Sequence, residues 1–257
     1  MMEKVFDGYS SYYDLLYKDK NYKSESEYIS SLIKSHSPNA TSVLELGSGT
    51  GIHAEYLASY GFSVHGIDLS AGMVEKANER KKKLIPDISN RLLFEAGDIR
   101  DVRTGQKYDV VISLFHVISY QTTNDDLLKA FETAAIHLKK GGIFIFDFWF
   151  GPCVLTNQPS IKIKRMSDET LEILRIAEPV LFPNTNIVKV NFTIFISDIL
   201  SNAKHNVIKE SHLMRYLFLP ELENLNKKFN LLNTYAWMSM LSPTINDWAA
   251  ISIMKLK

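Results

Sequence analysis

Cysteine is nearly absent: Cys153 is the only one in 257 residues. A single thiol can build neither a disulfide framework nor a cysteine-based zinc site, and it suits a reducing compartment. An excess of one charge is missing too. Lys plus Arg and Asp plus Glu each number 29. A net charge of zero argues against a chain that lives on a nucleic-acid backbone, because that affinity comes largely from clustered cations. Long apolar runs are also lacking. The longest, Gly141 to Leu155, is broken by Asp147 and is too short to span a bilayer, so it reads as a buried strand. The first ten residues include Glu3 and Asp7 and have no apolar signal-peptide core. The expected setting is therefore cytoplasmic, with neither a membrane nor a nucleic acid as partner.

Apolar residues make up 46% of the chain, enough for one large domain or one domain with an elaborate insertion. Residues 1–41 read as a polar, tyrosine-rich helical cap. Ser24 and Glu27 form a capping-box pattern ahead of Tyr28, Ile29, Leu32 and Ile33, and Ser37-Pro38-Asn39 ends that helix. From Thr41 the rhythm alternates. Strands are expected at Ser42–Leu46, Phe62–Ile67, Arg91–Ala96, Asp109–Leu114 and Ile143–Phe148. Helices are expected at Ile52–Ser59, at Ser70–Lys83 with Ser70 as cap, and at Thr123–Leu138 with Gly141-Gly142 as the stop. Repeated strand–helix units with short connections imply a parallel sheet covered on both faces.

The pattern changes after Phe150. Ile161–Met166, Leu171–Val180, Ile187–Asp198 and Val207–Phe218 read as four antiparallel strands, with turns at Asn184-Thr185-Asn186 and Ser201-Asn202-Ala203. A helix over Glu221–Phe229 and strands Leu231–Trp237 and Trp248–Leu256 close the chain. The expected fold is α/β: a Rossmann-like, mostly parallel seven-stranded sheet with helices on both faces. Its core spans 42–150 and 220–257, and residues 151–219 form an inserted antiparallel β-sheet. An insertion after the fifth strand lies at the carboxyl end of the sheet, where open α/β folds bind ligands.

The first βα turn is Glu45-Leu46-Gly47-Ser48-Gly49-Thr50-Gly51. Glycines there permit positive φ and close approach to a ligand, and a helix N-terminus follows. Alone, this indicates a nucleotide-like ligand. A dinucleotide fingerprint needs a small residue three places after the second glycine. Here position 52 is Ile, the third glycine comes early at Gly51, and Glu45 precedes the first by two. The pattern resembles motif I of the class I S-adenosylmethionine-dependent methyltransferases. Further along, Asp68 in Gly66-Ile67-Asp68-Leu69-Ser70 and Asp98 in Ala96-Gly97-Asp98-Ile99 each follow a strand, and Leu114 and Phe115 end the fourth.

That resemblance implies S-adenosylmethionine as cofactor. Gly47, Ser48, Gly49 and Gly51 would wrap its methionine and ribose portion, with Asp68 on the ribose hydroxyls. Leu69 and Met73 would lie along the adenine, Asp98 and the Ile99 N–H at the adenine edge, and Leu114 beside the methionine moiety. The cofactor is cationic, so the acidic rim of Glu45, Asp68 and Asp98 suits it and would repel an NAD pyrophosphate. Each acid alone reads equally well as a cap or a solvated loop residue. No metal site is assigned.

The acceptor is read elsewhere. The segment after the fourth strand, Ser113-Leu114-Phe115-His116-Val117-Ile118-Ser119-Tyr120, lacks the Asp/Asn-Pro-Pro-aromatic signature of amino methyltransferases acting on bases. Cys153 is in the wrong place for a cytosine nucleophile and reads as a small buried residue. The opening Tyr12-Tyr13-Asp14-Leu15-Leu16-Tyr17 and the stretch Phe115–Tyr120 resemble the nucleotide-linked amino-deoxysugar N-methyltransferases, as does the four-stranded insertion. The resemblance implies that Tyr17 reaches both the cofactor and the acceptor, and that Tyr120 lines the acceptor. His116 departs from the small residue usual there. It is a candidate base for a hydroxyl acceptor, or a histidine that holds a loop. No role is assigned to Lys162, Lys164, Arg165, Arg175 or Arg215, since alternating charge on a strand usually marks a solvated face.

The expected function is methyl transfer to a small molecule, foremost the amino group of a nucleotide-linked deoxysugar. The alternatives are an O- or N-methyltransferase of another metabolite, a non-catalytic regulatory protein that binds the cofactor, and an NAD-type oxidoreductase. An exposed antiparallel sheet suggests a possible homodimer.

Overall fold

A computed structural model describes residues 13–199, 205–225 and 227–257; Tyr12 and the Ser201-Asn202-Ala203 turn lie outside this range. The chain opens with α1 (Tyr13–Leu16) and α2 (Tyr22–His36). The alternating core follows: β1 (Ser42–Leu46), α3 (Ile52–Ser59), β2 (Ser63–Asp68), α4 (Ala71–Lys82), α5 (Pro86–Ser89), β3 (Leu92–Ala96) and β4 (Tyr108–Ser113). A 3₁₀ turn at Val117–Tyr120 leads to α6 (Asn124–His137), β5 (Leu138–Phe150) and α7 (Gly151–Thr156). Next come β6 (Lys162–Ser167), β7 (Leu171–Phe182), β8 (Ile187–Asp198) and β9 (His205–Leu217), then α8 (Leu219–Leu225), β10 (Phe229–Ala236) and β11 (Ala249–Leu256).

Seven strands form the core sheet in the order β3-β2-β1-β4-β5-β11-β10. Only β11 runs against its neighbours. The strand order reverses between β1 and β4, so their carboxyl ends border a crevice suited to a ligand. Period-2 alternation explains the two covered faces. On β5, Phe144, Phe146 and Phe148 pack with Phe131 of α6, while Ile143 and Ile145 pack with residues of α2 and α3 on the other side. Each of those fully buried rings contributes roughly 1.5–3 kcal/mol. Asp147 continues the Ile143/Ile145 face toward the crevice and is 1% exposed.

The inserted strands form an antiparallel meander, β9-β8-β7-β6. It is not a separate sheet. The last two residues of β5, Trp149 and Phe150, pair parallel with Tyr216 and Leu217 of β9. The insertion therefore grows from the carboxyl end of β5 and projects past the crevice.

Several local expectations need correction. The cap of α2 is Asn21, whose side chain accepts from the Ser24 N–H; the Ser24–Glu27 capping box is not used. No glycine stops α6. Its chain passes directly into β5 through an extended Leu138, and Gly141 lies inside that strand at φ +74°. The helix after the insertion begins at Leu219 and ends by Leu225, because Phe229 is drawn into β10 opposite Leu256. Pattern reading missed α1, α5 and α7, each too short to show a helical period. Cys153 is buried on α7, and burial raises its thiol above the ordinary value. No helix among the described residues is long and apolar enough to cross a membrane.

Candidate active site

The glycine turn leaves β1 at the crevice. Gly47 has φ +83° and Gly49 φ +54°, conformations that favour glycine. Their surroundings differ. A Cβ on Gly47 would lie 2.5 Å from Val117 Cγ2, whereas one on Gly49 would meet nothing within 4 Å. Gly47 thus lets the turn pack under the segment after β4, and Gly49 leaves open space for a ligand. The Gly47 and Ser48 N–H groups both donate to the Ile67 carbonyl, which ties the turn to β2. Gly51, in the left-handed region, caps α3.

Two acids form the floor of the rim. Asp68 ends β2 and accepts from the Gly49 N–H at 2.8 Å and the Ser70 N–H at 2.9 Å. Burial raises its carboxyl above the ordinary value against the pull of those two donors. Glu45 is 1% exposed, and its Oε2 has no hydrogen-bond partner among the described residues. Burial pushes its carboxyl up to about 8, with the Asp68 charge adding and Lys20 opposing. A buried carboxyl oxygen with no partner is costly unless something cationic meets it. Asp98 stands differently. Arg100 donates to both of its oxygens and also binds Asp126. Burial would raise the Asp98 carboxyl, but Arg100 outweighs it and holds the group below its ordinary value. A ligand amino group there would compete with Arg100.

The other expected contacts divide by exposure. Leu69 is 61% exposed at the rim, while Met73 is 3% exposed. Met73 packs in a cluster with Leu16 of α1 and Ile173 and Ile194 of the insertion, and so joins three parts of the molecule beneath the rim. Ile99 and Leu114 are buried and pack into the two core clusters. Phe115, next in line, packs its ring against Tyr17 and under Lys20.

Residues to which the sequence reading gave no role cover the turn. Asp14 on α1 accepts from Thr50 Oγ1 at 2.8 Å and pairs with Arg80 at 2.9 Å, fastening α1 over the glycine turn. Lys20 pairs with Glu25 and lies over the rings of Tyr22 and Phe115, at 4.2 and 4.6 Å from their centroids. His53 Nε2 is 2.9 Å from Glu25 Oε2, and its Nδ1 is 3.9 Å from Glu45 Oε1. Burial lowers the His53 pKa although Glu25 opposes it. Asp14 sits in the N-terminal tyrosine motif, but no short motif encodes Lys20, Glu25 and His53.

After β4, Phe115 and His116 both adopt φ near +60°, at 63° and 64°. Consecutive left-handed non-glycine residues are strained, and such strain persists only where surroundings hold it. The buried Asp147 supplies that hold. It accepts from the His116 backbone N–H at 3.0 Å, and its Oδ2 lies 2.7 Å from His116 Nδ1, outside good hydrogen-bond alignment.

The insertion provides the opposite wall. Tyr17 meets Phe115 edge-on at 4.9 Å, and Arg175 Nη1 donates to Tyr17 Oη at 3.3 Å. Arg175 also lies over Phe192, 5.2 Å from its centroid. Tyr120 Oη is 2.8 Å from His212 Nδ1, and His212 Nε2 is 3.2 Å from Glu210 Oε2. Tyr17 and Tyr120 thus belong to one wall, with Arg175, Phe192, His212 and Glu210 from the inserted strands. The solvated-face expectation fails for three of the five cations noted above. Arg175 faces inward, Arg215 is 7% exposed and bound to Asn124 and Glu221, and Lys164 donates to the Leu16 carbonyl.

These residues fit S-adenosylmethionine. The orphaned Glu45 oxygen, the open space at Gly49 and a second buried acid at Asp68 form a rim suited to a cationic nucleoside-like ligand. A methyltransferase domain is recognised over residues 43–142. The dTDP-3-amino-3,4,6-trideoxy-alpha-D-glucopyranose N,N-dimethyltransferase of Streptomyces venezuelae is 31% identical over 185 residues, covering 71% of this chain and 74% of that protein. The dTDP-3-amino-3,6-dideoxy-alpha-D-glucopyranose N,N-dimethyltransferase of Streptomyces fradiae is 32% identical over 142 residues, 54% of this chain and 52% of that one. In fold, an S-adenosylmethionine-dependent methyltransferase from Clostridium acetobutylicum superposes with a TM-score of 0.77 at 22% identity, covering 96% of each chain. Matched at that identity over most of both sequences, the chain belongs to the S-adenosylmethionine-dependent methyltransferases and is an enzyme with S-adenosylmethionine as its methyl donor.

Proposed function

We propose that the enzyme transfers the methyl group to the amino group of a nucleotide-linked deoxysugar. The extended match to a dTDP-amino-deoxysugar N,N-dimethyltransferase, which reaches beyond the cofactor half, carries the reading. The wall of Tyr17, Phe115, Phe192 and Arg175 supports it, since rings and a guanidinium suit a sugar face and polar or anionic groups attached to it. Bound S-adenosylmethionine would supply an electrophilic methyl on a sulfonium. In this reading Gly47, Ser48, Gly49 and Gly51 cradle it, Asp68 takes its ribose hydroxyls, and Glu45 answers its positive charge. Leu69 borders the adenine. Phe115 and Tyr17 separate cofactor from acceptor and set the alignment on which in-line displacement depends. Tyr120 lines the acceptor.

The test is turnover. Purified enzyme with S-adenosylmethionine and a panel of dTDP-amino-deoxysugars should give S-adenosylhomocysteine and an N-methylated sugar, read by mass spectrometry. No product with any amino sugar, with cofactor binding intact, overturns the acceptor. The His116–Asp147 pair favours a second reading, a hydroxyl acceptor with His116 as base. The same panel with hydroxyl-bearing analogues separates the two. We place the enzyme in the cytoplasm, in keeping with its single cysteine, and without nucleic-acid partners, in keeping with its balanced charge. The outer face of the insertion, which exposes Ile163, Phe195 and Val207, is where two copies would meet as a homodimer. Sedimentation equilibrium tests that point, and a monomer at all concentrations removes it.

A further inference from the structure

An amine attacks a sulfonium carbon only through its lone pair, so a sugar amine that arrives protonated must first lose a proton. In the core half the candidate is His116, whose ring nitrogen already sits 2.7 Å from the Asp147 carboxylate. The insertion carries a second candidate, a chain of groups that reaches the acceptor side. Glu210 and His212 are two residues apart on β9, so strand alternation puts both on one face. Both are buried: His212 is 4% exposed and the Glu210 side chain 10%. The carboxylate can only accept, so His212 Nε2, at 3.2 Å, carries the hydrogen toward it. Nδ1 is then the bare nitrogen, and the Tyr120 hydroxyl donates to it across 2.8 Å. Phe192 stands edge-on to the His212 ring at 5.0 Å and fixes its plane.

We propose that Tyr120, His212 and Glu210 form a proton relay that takes the ammonium proton of the acceptor and delivers it to His212. The step rests on the amino-sugar reading above. The substrate N–H bond breaks and a bond forms to Tyr120 Oη. In the same exchange Tyr120 passes its own hydrogen to His212 Nδ1. The tyrosine ends neutral, His212 ends as imidazolium beside the Glu210 carboxylate, and the amine keeps the electron pair that attacks the methyl carbon. Pass-through is required because burial holds the Tyr120 hydroxyl well above the ordinary tyrosine range, with Tyr17 and Glu210 adding and Arg175 opposing. A free phenolate is therefore a poor resting place for the charge. The charged and titratable groups around the relay are Glu210 on β9, Tyr120 and Tyr17 across the site, and Arg175 on β7; β8 presents apolar Val190 and Phe192. Tyr120 is the group set to touch substrate, while His212 and Glu210 act through it as positioning and proton-accepting residues.

A purely structural strut between β9 and the turn after β4 would use the same hydrogen bonds, so the test must separate the two by pH. We would measure kcat/KM against pH for wild type, His212→Asn, Glu210→Gln and Tyr120→Phe, with S-adenosylmethionine and the best dTDP-amino sugar. Cofactor binding by calorimetry would report the fold. His212→Asn keeps an oxygen to accept from Tyr120 but cannot take a proton. A relay predicts a loss of about 100-fold or more for His212→Asn and Tyr120→Phe where the free substrate is an ammonium ion, within the usual range for general-base catalysis. That loss should shrink toward wild type above the amine's own pKa, where free amine binds directly. Glu210→Gln should lose less, about 10-fold. A loss of equal size at every pH, or no loss in His212→Asn, overturns the relay. A wild type that methylates no amino sugar overturns the acceptor reading and the relay together; a productive wild type with a flat His212→Asn ratio overturns the relay alone.

Discussion

The two walls of the site are built in opposite ways. The proposed cofactor wall comes from short consecutive segments at strand ends: the turn after β1, Asp68 after β2, Asp98 after β3. Its geometry is mostly backbone, such as the Gly49 N–H on Asp68 and the paired N–H groups of Gly47 and Ser48 on the Ile67 carbonyl. The proposed acceptor wall is made of side chains brought from far apart in the sequence. Arg175 meets Tyr17 across 158 residues and His212 meets Tyr120 across 92. A backbone-defined site tolerates little change in its glycines and fixes one ligand. A side-chain wall on an inserted sheet can be rewritten without disturbing the fold. This division fits a donor common to the family and an acceptor that differs among its members.

Gly47→Ala strikes the backbone wall hardest. Its φ of +83° costs an alanine about 1–2 kcal/mol, and the new Cβ would sit 2.5 Å from Val117, adding about 1–3 kcal/mol of overpacking. Calorimetry should find S-adenosylmethionine binding reduced beyond about 100-fold. Asp68→Ala comes next, since it removes a charged acceptor worth about 1.5–3 kcal/mol and frees the Gly49 and Ser70 N–H groups. Affinity should fall about 10- to 100-fold, with acceptor KM unchanged wherever cofactor can be saturated. If cofactor affinity is unchanged in Asp68→Ala, the contrast between the walls is lost.

Glu45 gives the contrast a pH signature. Its carboxyl is raised to about 8 in the free protein, above the unfolded value of 4.5. Between these values the folded chain binds the extra proton. Glu45 therefore makes the free enzyme lose stability as pH rises from about 4.5 to about 8. A cationic cofactor favours the ionised form, so binding below about pH 8 should release a proton and affinity should rise with pH, at most about tenfold per unit. Calorimetry in buffers of different ionisation enthalpy reads the proton directly. Glu45→Gln should remove the pH slope; a slope that persists assigns it to another group.

The same division explains what the sequence made legible. The strands and most helices of the core followed from period and caps, because local pattern and burial agree there: Ile52–Ser59 and Ile187–Asp198 form over the expected ranges. The glycine turn, Glu45 and Asp68 stood out because consecutive spacing is itself the signal, and the fold brings them together at the crevice. Spacing placed Met73 and Leu114 near the site, but it could not report that Met73 packs with α1 and the insertion and that Leu114 is buried in the core. His212, Glu210 and Arg175 were invisible for a different reason. A polar residue every second place on a strand does not say which face is solvated, and only the pairing of β9 with β5 turns that face inward. Asp147 alone left a trace, as the single charge in an apolar run.

Arg175→Ala tests the side-chain wall at smaller amplitude. It removes a long hydrogen bond to Tyr17 and a cation over the rings of Tyr17 and Phe192, worth about 1 kcal/mol. Acceptor KM should rise about fivefold while S-adenosylmethionine affinity holds, measured by steady-state kinetics beside calorimetry. A change in cofactor affinity of the same size would mean that Arg175 serves both walls through Tyr17.

The smallest effect is expected at His116, and it decides where the base lies. Besides His53 with Glu25 over the glycine turn, two histidine–carboxylate pairs of the described residues bear on the base: His116 with Asp147 on the core side, and His212 with Glu210 on the insertion. In the first, the carboxylate also accepts the His116 backbone N–H, and the ring nitrogen is poorly aligned with it. The pair is thus arranged to hold a strained left-handed turn. Asn tolerates that backbone better than most residues. His116→Asn should therefore keep N-methylation within about threefold of wild type across pH, far below the roughly 100-fold cost of losing a general base. A loss of that larger size would move the base to the core wall and favour a hydroxyl acceptor. The acceptor wall would then supply shape alone, and the contrast between the walls would lie in recognition with no share in the chemistry.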